Sequence, residues 1–584
     1  MADLHLPLIP GTDVYLFNAI AKLLVQYGAV DYHFLESHCN GGHQLLEFLK
    51  DVDLIESARA CGLELNLIEQ AAKMIAESKT LLSMWTMGLN QSSIGTNKNL
   101  ALINLNLLTG RIGKAGSGPF SLTGQPNAMG GREVGGLANL LAAHHDLANP
   151  DHCNKVANYW GCGSVSSQPG LTATEMVDAL DDGRLKAIWV ICTNPVVSLP
   201  DLEKVERAYK KAKFVMVSDI SSKSDTLKYA DMILPAAGWA EKEGTMTNSE
   251  RRISYVPKLI EAPGNARPDV DILMHFAQKM GFEDAFNYPH AEAIFNEHRE
   301  LTRGTNIDIC GVSYDRLKRN SIQWPCPSSD HPGTKRLFED FKFFTADKRA
   351  NLHVVEAPHQ SEKTNSDFPL VLTTGRIRDQ WHTMTRTGKV QRLNQHIPAP
   401  KLEIHPNDAL ELGITDGENV EVTSRRSKSI VACQVTDSIR PGTVFLPMHW
   451  GYINGSKKAR ANNLTSDLVD PISKEPDFKY SAVRVQALAK KKRKIVLVGA
   501  GAAALEFIHS YRKINQEDEI HVFGREPHLF YNRVMLPDYI NNEKSWEAIL
   551  LSETQELEKL KVTYHEGTAV EQIAREQQTI TDSK

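Results

Sequence analysis

Ala187-Ile-Trp-Val-Ile-Cys192, then Thr193-Asn-Pro195, then Leu202 to Lys211, then Phe214-Val-Met-Val-Ser-Asp219, reads as a buried strand, a polar loop, a helix and a second strand. Short runs rich in β-branched residues, bounded by loop residues and alternating with helical segments, mark βαβ units and a parallel sheet. The same order appears upstream, where Leu81-Leu-Ser-Met-Trp-Thr86 leads through Asn90-Gln-Ser-Ser-Ile-Gly-Thr96 into a helix from Asn99 to Leu108. Downstream, Ala230-Asp-Met-Ile-Leu-Pro235 supplies a further strand. Four strands alternating with helices predict a doubly wound α/β core, whose ligands sit in the crevice beyond the strand ends. Asp219 stands at such an end, where carboxylates that recognise nucleotides tend to lie. No Gly-x-Gly-x-x-Gly occurs here, so a nicotinamide dinucleotide is not implied for this core.

Working outward, Gly118-Pro-Phe-Ser-Leu-Thr-Gly-Gln-Pro-Asn-Ala-Met-Gly-Gly-Arg-Glu-Val-Gly-Gly136 holds six glycines in nineteen residues. Glycine admits positive φ and the close approach of another molecule. Gln125 and Asn127 offer donors and acceptors, and Arg132 offers a planar fork of donors suited to an oxyanion. The stretch reads as a pocket wall; composition alone suits equally a Gly-rich surface turn with Arg132 and Glu133 solvated. Near the start, Pro10-Gly-Thr-Asp13 precedes an apolar-periodic helix, Val14 to Val25, with Thr12 or Asp13 placed to cap it. Two further helices are predicted around Gln44–Leu49 and Asn66–Glu77, and another within 262–282. Residues 283–365 are poorly periodic and read as a connector with short helices.

From Phe368 the texture changes to short β-branched runs with turn signals at 370–374, 401–405, 419–423, 430–435 and 443–446. That spacing predicts a small barrel. The basic run 489–494 reads as a solvated linker. Beyond it, Ile495-Val-Leu-Val-Gly-Ala-Gly-Ala-Ala-Ala504 is a strand, a Gly-x-Gly-x-x-Ala turn through Gly499 and Gly501, and a helix. A second strand, Glu519–Phe523, follows, and Glu526 lies 27 residues after Gly499. Those glycines suit a pyrophosphate, and Glu526 is a candidate for ribose hydroxyls, although about 20 residues is the usual spacing.

A length of 584 residues implies three or four domains, and a net charge of −5 points to neither a nucleic-acid tract nor a membrane-binding face. No apolar run is long enough to span a bilayer. Eight cysteines with no Cys-x-x-Cys pair read as reduced thiols of a cytoplasmic protein and give no local signature for zinc or an iron–sulfur cluster.

The blocks Met87–Thr96, Leu108-Thr-Gly-Arg-Ile-Gly113 and Gly124–Gly136, in that order, resemble the assimilatory nitrate reductase branch of the molybdopterin oxidoreductases. The likeness continues through Thr193-Asn-Pro195, Gly244-Thr-Met-Thr-Asn-Ser-Glu-Arg-Arg252 and Thr373-Thr-Gly-Arg376 to about residue 488. It implies an α/β core over 1–282, a connector over 283–365, and a β-barrel over 366–488 that closes on a molybdenum bis(molybdopterin guanine dinucleotide) cofactor. The resemblance assigns cofactor contacts to Gly11, Thr12, Asp13, Asn90, Gln91, Thr193, Asn194, Pro195 and Asp219. From the barrel it adds Thr374, Gly375, Arg376, Trp381, His382, Thr383, His449, Asn463, Phe478 and Lys479; His382 and His449 suit satisfied core histidines equally well. The 244–252 loop is implied to hold the cofactor side of the cavity. Relatives carry the molybdenum-ligating cysteine and a 4Fe-4S cluster in a segment before Met1, so the chain reads as a fragment that supplies no metal ligand of its own. The implied reaction is nitrate reduction, with Arg132 binding the anion and Met129 and Gln125 lining its pocket. Val522–Pro537 resembles the start of the flavin reductase portion of assimilatory nitrite reductases, which makes 495–584 part of an FAD domain fed by NADH, NADPH or another donor. Another substrate of the same family, such as formate, and a non-catalytic cofactor-binding or assembly fragment are the alternatives.

Overall fold

Strands Ala187–Ile191, Phe214–Asp219 and Met232–Pro235 pair in parallel, in that spatial order. They belong to a computed structural model that describes residues 2–357, 362–488 and 492–584. Helix Leu202–Lys211 makes the crossover between the first two, and Leu202, Val205, Ala208 and Tyr209 pack with Val190, Val215 and Val217 in one buried cluster. Asp201 fixes the start of that helix by accepting from the Lys204 N–H. Pairing leaves the loops after Ile191 and Asp219 side by side at the carboxyl edge, where a ligand crevice forms.

The strand predicted at Leu81–Thr86 does not join this sheet. Leu82–Trp85 pairs in parallel with Gly118–Ser121, inside the stretch read from sequence as pocket wall. The α/β core is therefore two parallel sheets, not one of four strands. Alternation of strands and helices specifies parallel pairing but not the partner, and Gly118 and Pro119 hide a strand from any propensity argument. Helices Asp13–Gln26, Gly42–Asp51, Leu54–Cys61, Leu65–Glu77 and Gly95–Leu108 contribute to one large buried cluster.

The cap of the first helix differs from expectation. Thr12 holds the N-cap position, but its hydroxyl donates back to the Ile9 carbonyl at 2.7 Å and caps no helix N–H. Asp13 is the first helical residue, and its carboxylate pairs at 2.8 Å with Lys98, which is 2% exposed.

Residues 283–365 are not a mere connector. Phe295, Leu301, Ile307, Ile309, Tyr314, Leu317, Ile322 and Trp324 form a core with Ile253 and Val156. Ala350–Asn351 pairs in parallel with Cys39–Asn40. The expected short helices are present, as Ala291–Leu301 and Tyr314–Arg319, but the irregular backbone between and after them hid how their buried residues join one core.

The barrel closes with six strands in the order Leu370–Gly375, Thr443–Pro447, Lys401–Ile404, Lys428–Val435, Asn419–Ser424 and Ser481–Ala487. The sixth was not expected from sequence. It pairs on both sides and removes the edges. Val420, Val422, Val431 and Cys433 alternate inward as a two-residue period requires.

Residues Leu488–Lys584 form a second unit. Lys494–Val498, Glu519–Phe523 and Val562–His565 make a three-stranded parallel sheet, with helix Ala502–Ile514 following the first strand. Residues 489–491 of the basic run lie outside the described residues, and Lys494 is already in the first strand. All eight cysteines are free thiols. Among the described residues no helix is long and apolar enough to cross a membrane.

Candidate functional site

A cleft of about 400 Å³ opens at the carboxyl edge of the three-stranded sheet, between its loops, the Gly-rich segment and a loop of the barrel. Seven residues singled out from sequence line it: Gln125, Thr193, Asn194, Asp219, Trp381, His382 and Thr383. Lys242, Asp269 and Arg386 line it as well, with Lys242 and Asp269 paired to each other; they carried no sequence signal, since nothing in their local runs distinguishes them from surface charges. Burial in the cleft pushes the Asp219 carboxyl up, against the Ser221 N–H and the Ser224 hydroxyl, which favour its ionised form. Burial likewise pushes the Cys192 thiol up to about 11, with nearby Asp269 adding to the shift. That thiol is a poor nucleophile and a poor metal ligand at neutral pH.

Several residues assigned to the cofactor serve the scaffold. Asn194 is buried, and its amide donates to Thr383 at 3.1 Å and to Asp225 at 3.3 Å. Its carbonyl accepts from the Thr226 hydroxyl at 2.7 Å. It ties the sheet loop to the barrel loop and has little capacity left for a ligand. Pro195 is fully enclosed in the first turn of the helix Pro195–Ser198. His449 is fully buried; Ile377 N–H donates to its Nε2 at 2.9 Å, so its Nδ1 carries the proton and donates to the His382 carbonyl at 2.6 Å. Burial lowers it to about 4. It is a satisfied core histidine that shapes the 377–382 loop, whereas His382 itself reaches the cleft. Asn463 donates to the Lys457 carbonyl at 3.0 Å, inside the barrel domain. Thr374 donates to the Phe478 carbonyl, and the Phe478 N–H reaches the Gln91 carbonyl. Asn90 accepts from Trp85 and Asn99. The 244–252 loop is likewise structural: Arg251 donates to the carbonyls of Trp324, Thr334 and Lys335, and Arg252 to Ser321 and Gln323.

Loop 90–96 is fastened to the barrel by two carboxylates that the sequence did not flag. Asp477 accepts from Ser93, and Asp470 from Thr96. Beside them stands a group of cations. Arg376 is exposed, with its guanidinium 4.8 Å from the Trp381 ring centroid and close against Gly124, where a Cβ would lie 2.7 Å from its Nη2. No hydrogen bond or ion pair holds Arg376 among the described residues. Lys479 donates to the Thr374 carbonyl. Burial pushes its ammonium down to about 8, against the pull of Asp477 and with repulsion from Arg376.

That depression predicts a pH effect. Below the folded value the lysine is charged in both states and its burial is unfavourable. The stabilising contribution is present above the unfolded value of about 10.4 and is lost as pH falls through 8. Ligand-free protein is therefore expected to gain ~3 kcal/mol between pH 8 and 10.5 relative to Lys479→Met, an order-of-magnitude figure. Urea midpoints of the two proteins across that range check it; parallel profiles would show that the ammonium is not desolvated.

The sequence-predicted anion pocket is partly assembled. Gln125 lines the cleft. Arg132 is exposed on the short helix Ala128–Glu133, outside the residues that line the cleft, and makes no hydrogen bond or ion pair among the described residues. Met129 packs against the buried cluster around Ile309 and Trp324, so it is a packing residue and not a pocket wall. Glu133 is not solvated: it is 5% exposed. In the second unit Gly499 adopts φ +107°, as a tight phosphate-binding turn needs. Glu526 accepts from Tyr531 at 2.7 Å and Arg533 at 3.0 Å, both through Oε2, so those two side chains fix the direction of its carboxylate.

A polar cleft at a sheet edge, closed by barrel loops, with the unpaired guanidinium of Arg376 and the buried ammonium of Lys479 in the adjoining barrel, suits an extended anionic cofactor. Known proteins agree. The profile of the Molybdopterin oxidoreductase family matches residues 1–279, and that of the Molydopterin dinucleotide binding domain matches residues 370–482. The chain is 43% identical over 492 residues to a nitrate reductase of Synechocystis sp., covering 83% of this chain and 69% of that protein. It is 36% identical over 488 residues to the alpha subunit of an F420-dependent formate dehydrogenase of Methanocaldococcus jannaschii, covering 83% and 70%. It spans 56% of the length of another nitrate reductase that it matches. The solved structure of acetylene hydratase from Pelobacter acetylenicus shares the fold, with a TM-score of 0.64 at 17% identity over 84% of this chain and 72% of that one. The chain belongs to the molybdopterin oxidoreductase family of molybdenum-dependent oxidoreductases.

Proposed function

We propose that this chain forms the greater part of an enzyme that reduces nitrate to nitrite at a molybdenum bis(molybdopterin guanine dinucleotide) centre. The observation that carries the reading is Arg132. An exposed guanidinium that makes no hydrogen bond or ion pair among the described residues, seven positions from a cleft-lining glutamine, is a ready receptor for a small planar oxyanion. The nitrate reductase relatives support the choice of anion.

The residues present fit the cofactor. Gln125, Thr193, Asp219, Trp381, His382 and Thr383 would hold it along the cleft, and Arg376 and Lys479 would meet its phosphates. When bound, the cofactor supplies the two electrons and the oxygen-accepting metal of the reaction. This chain's residues bind and orient the anion, neutralise its charge and shape the approach. Nitrate, two protons and two electrons give nitrite and water, so Arg132 serves a substrate and a product of equal charge. In this reading the 4Fe-4S cluster resides in a further segment of the enzyme. Electrons come from NADH, NADPH or another donor through FAD in the second unit, where Gly499 and Gly501 lead into helix Ala502–Ile514 and Glu526 is the candidate for the ribose hydroxyls.

Reduced viologen with nitrate, and oxidised viologen with formate, applied to the full-length metal-loaded enzyme, test the proposal. Nitrate turnover without formate oxidation is the expected result. Formate oxidation alone would replace nitrate by formate, and inactivity in both assays with metal bound would favour an assembly role.

A further inference from the structure

Glu133 follows Arg132 directly, yet the two side chains part company: Arg132 is exposed and Glu133 is buried. Successive residues of a helix point about 100° apart, so one turn presents a free guanidinium outward and a carboxyl inward. Both carboxyl oxygens have partners. Oε2 accepts from the Thr247 hydroxyl at 2.9 Å, and Oε1 accepts from the indole N–H of Trp324. Trp324 is itself fixed, because Arg251 lies 5.3 Å from its ring centroid and donates to its carbonyl. At the other end of the short helix, the Asn127 carbonyl accepts from the Thr247 N–H at 2.9 Å. Gly130 fits only without a side chain, since a Cβ there would sit 2.2 Å from Asn127 Oδ1. The turn carrying Arg132 is thus fastened at both ends to strand Gly244–Thr247 and to Trp324.

Among the described residues the Arg132 side chain makes no hydrogen bond or ion pair, so its direction is inherited from this backbone. A buried carboxyl is a demanding anchor, tolerated only when its hydrogen bonds are complete, and complete bonds fix geometry sharply. We propose that Glu133, through Thr247 and Trp324, is the positioning residue that aims Arg132 at the oxyanion. The inference rests on the nitrate reading only for the identity of that anion.

Three variants of the full-length metal-loaded enzyme test it. Glu133→Gln keeps the shape, can accept from Trp324 and can donate to the Thr247 hydroxyl; its nitrate KM is expected within about 3-fold of wild type. Glu133→Ala is expected to raise KM about 30-fold while kcat per bound molybdenum stays within about 3-fold. Trp324→Phe removes one donor alone, with an expected rise of about 10-fold, and serves if the alanine variant does not fold. A merely structural role would lower the amount of folded enzyme and leave KM unchanged, which would overturn the proposal. A second reading needs no substrate: amide exchange across residues 128–136 and phenylglyoxal labelling of Arg132, followed by mass spectrometry. Exchange at least about 10-fold faster in Glu133→Ala and near wild type in Glu133→Gln supports the anchor; equal exchange in all three overturns it. An enzyme that fails on nitrate but shows this exchange pattern would lose the substrate assignment and keep the positioning role.

Discussion

Replacing Arg132 by alanine is expected to lower nitrate kcat/KM by about 100-fold, the loss of one charge-assisted bidentate contact of 2 to 3 kcal/mol. Stability should hardly move. The guanidinium is exposed and makes no hydrogen bond or ion pair among the described residues, so the melting temperature should stay within the range of a neutral surface change. This separation is the useful feature of the experiment, because a loss of activity without a loss of stability points to a role in binding. Arg132→Lys keeps a charge but not the planar fork, and about 10-fold is expected, mostly in KM. Steady-state kinetics with reduced viologen, paired with thermal melts of the same preparations, give both readings. Wild-type kinetics in Arg132→Ala would remove Arg132 from the site and, with it, the central support for nitrate as substrate.

What the sequence made legible follows from which interactions are local. Helix Leu202–Lys211 and strand Phe214–Asp219 lie where periodicity placed them, because one face of each is buried against neighbouring elements. The loops between them were identifiable as cleft walls for the same reason: the strand ends of a parallel sheet leave room there. Partner choice was not legible. Leu82–Trp85 was recognisable as a strand, but its neighbour is a Gly-Pro sequence that no propensity favours. The roles of polar loop residues were harder still. Asn194 and His449 sit in loops beside the cleft, as expected, yet both turn toward other parts of the protein. A sequence shows that such groups need partners and leaves open whether a ligand or the barrel provides them. Arg132 and Glu133 make the point most clearly, since adjacent charges on one turn have opposite environments.

The largest stability effect is expected at Arg460, which is 1% exposed, among the most enclosed large side chains of the chain. It is one of the contacts between the barrel domain and the domain of the sheet Ala187–Ile191, Phe214–Asp219 and Met232–Pro235, beside those of Asn462, Ser427 and Asp467. Its Nη2 lies 2.7 Å from Glu206, itself 5% exposed on helix Leu202–Lys211, and its Nη1 donates to the Val196 carbonyl at 3.1 Å. The guanidinium also lies 5.0 Å from the ring centroid of Tyr452, and Lys457 reaches the other Glu206 oxygen at 3.0 Å. Burial alone would raise the Glu206 carboxyl; Lys457 and Arg460 outweigh it and hold the group below its usual value. Arg460→Ala leaves the enclosed Glu206 with Lys457 as its cation and with Tyr229 nearby, and a loss of about 3 to 5 kcal/mol is expected. Arg460→Met with Glu206→Leu removes the whole pair, and its loss is expected to be smaller than that of Arg460→Ala alone. The depressed carboxyl fixes the sign of the acid limb. Its contribution is present above the unfolded value of about 4.3 and is lost as pH falls through the lower folded value. Wild type should therefore lose stability on acidification more steeply than the double variant. Urea unfolding of the three proteins at neutral and acidic pH decides the matter. If the single and double variants prove equally destabilised, the loss does not come from stranding the Glu206 carboxylate, and the junction rests on neutral hydrogen bonds such as those from the Asn462 amide to the Val197 and Ser198 carbonyls.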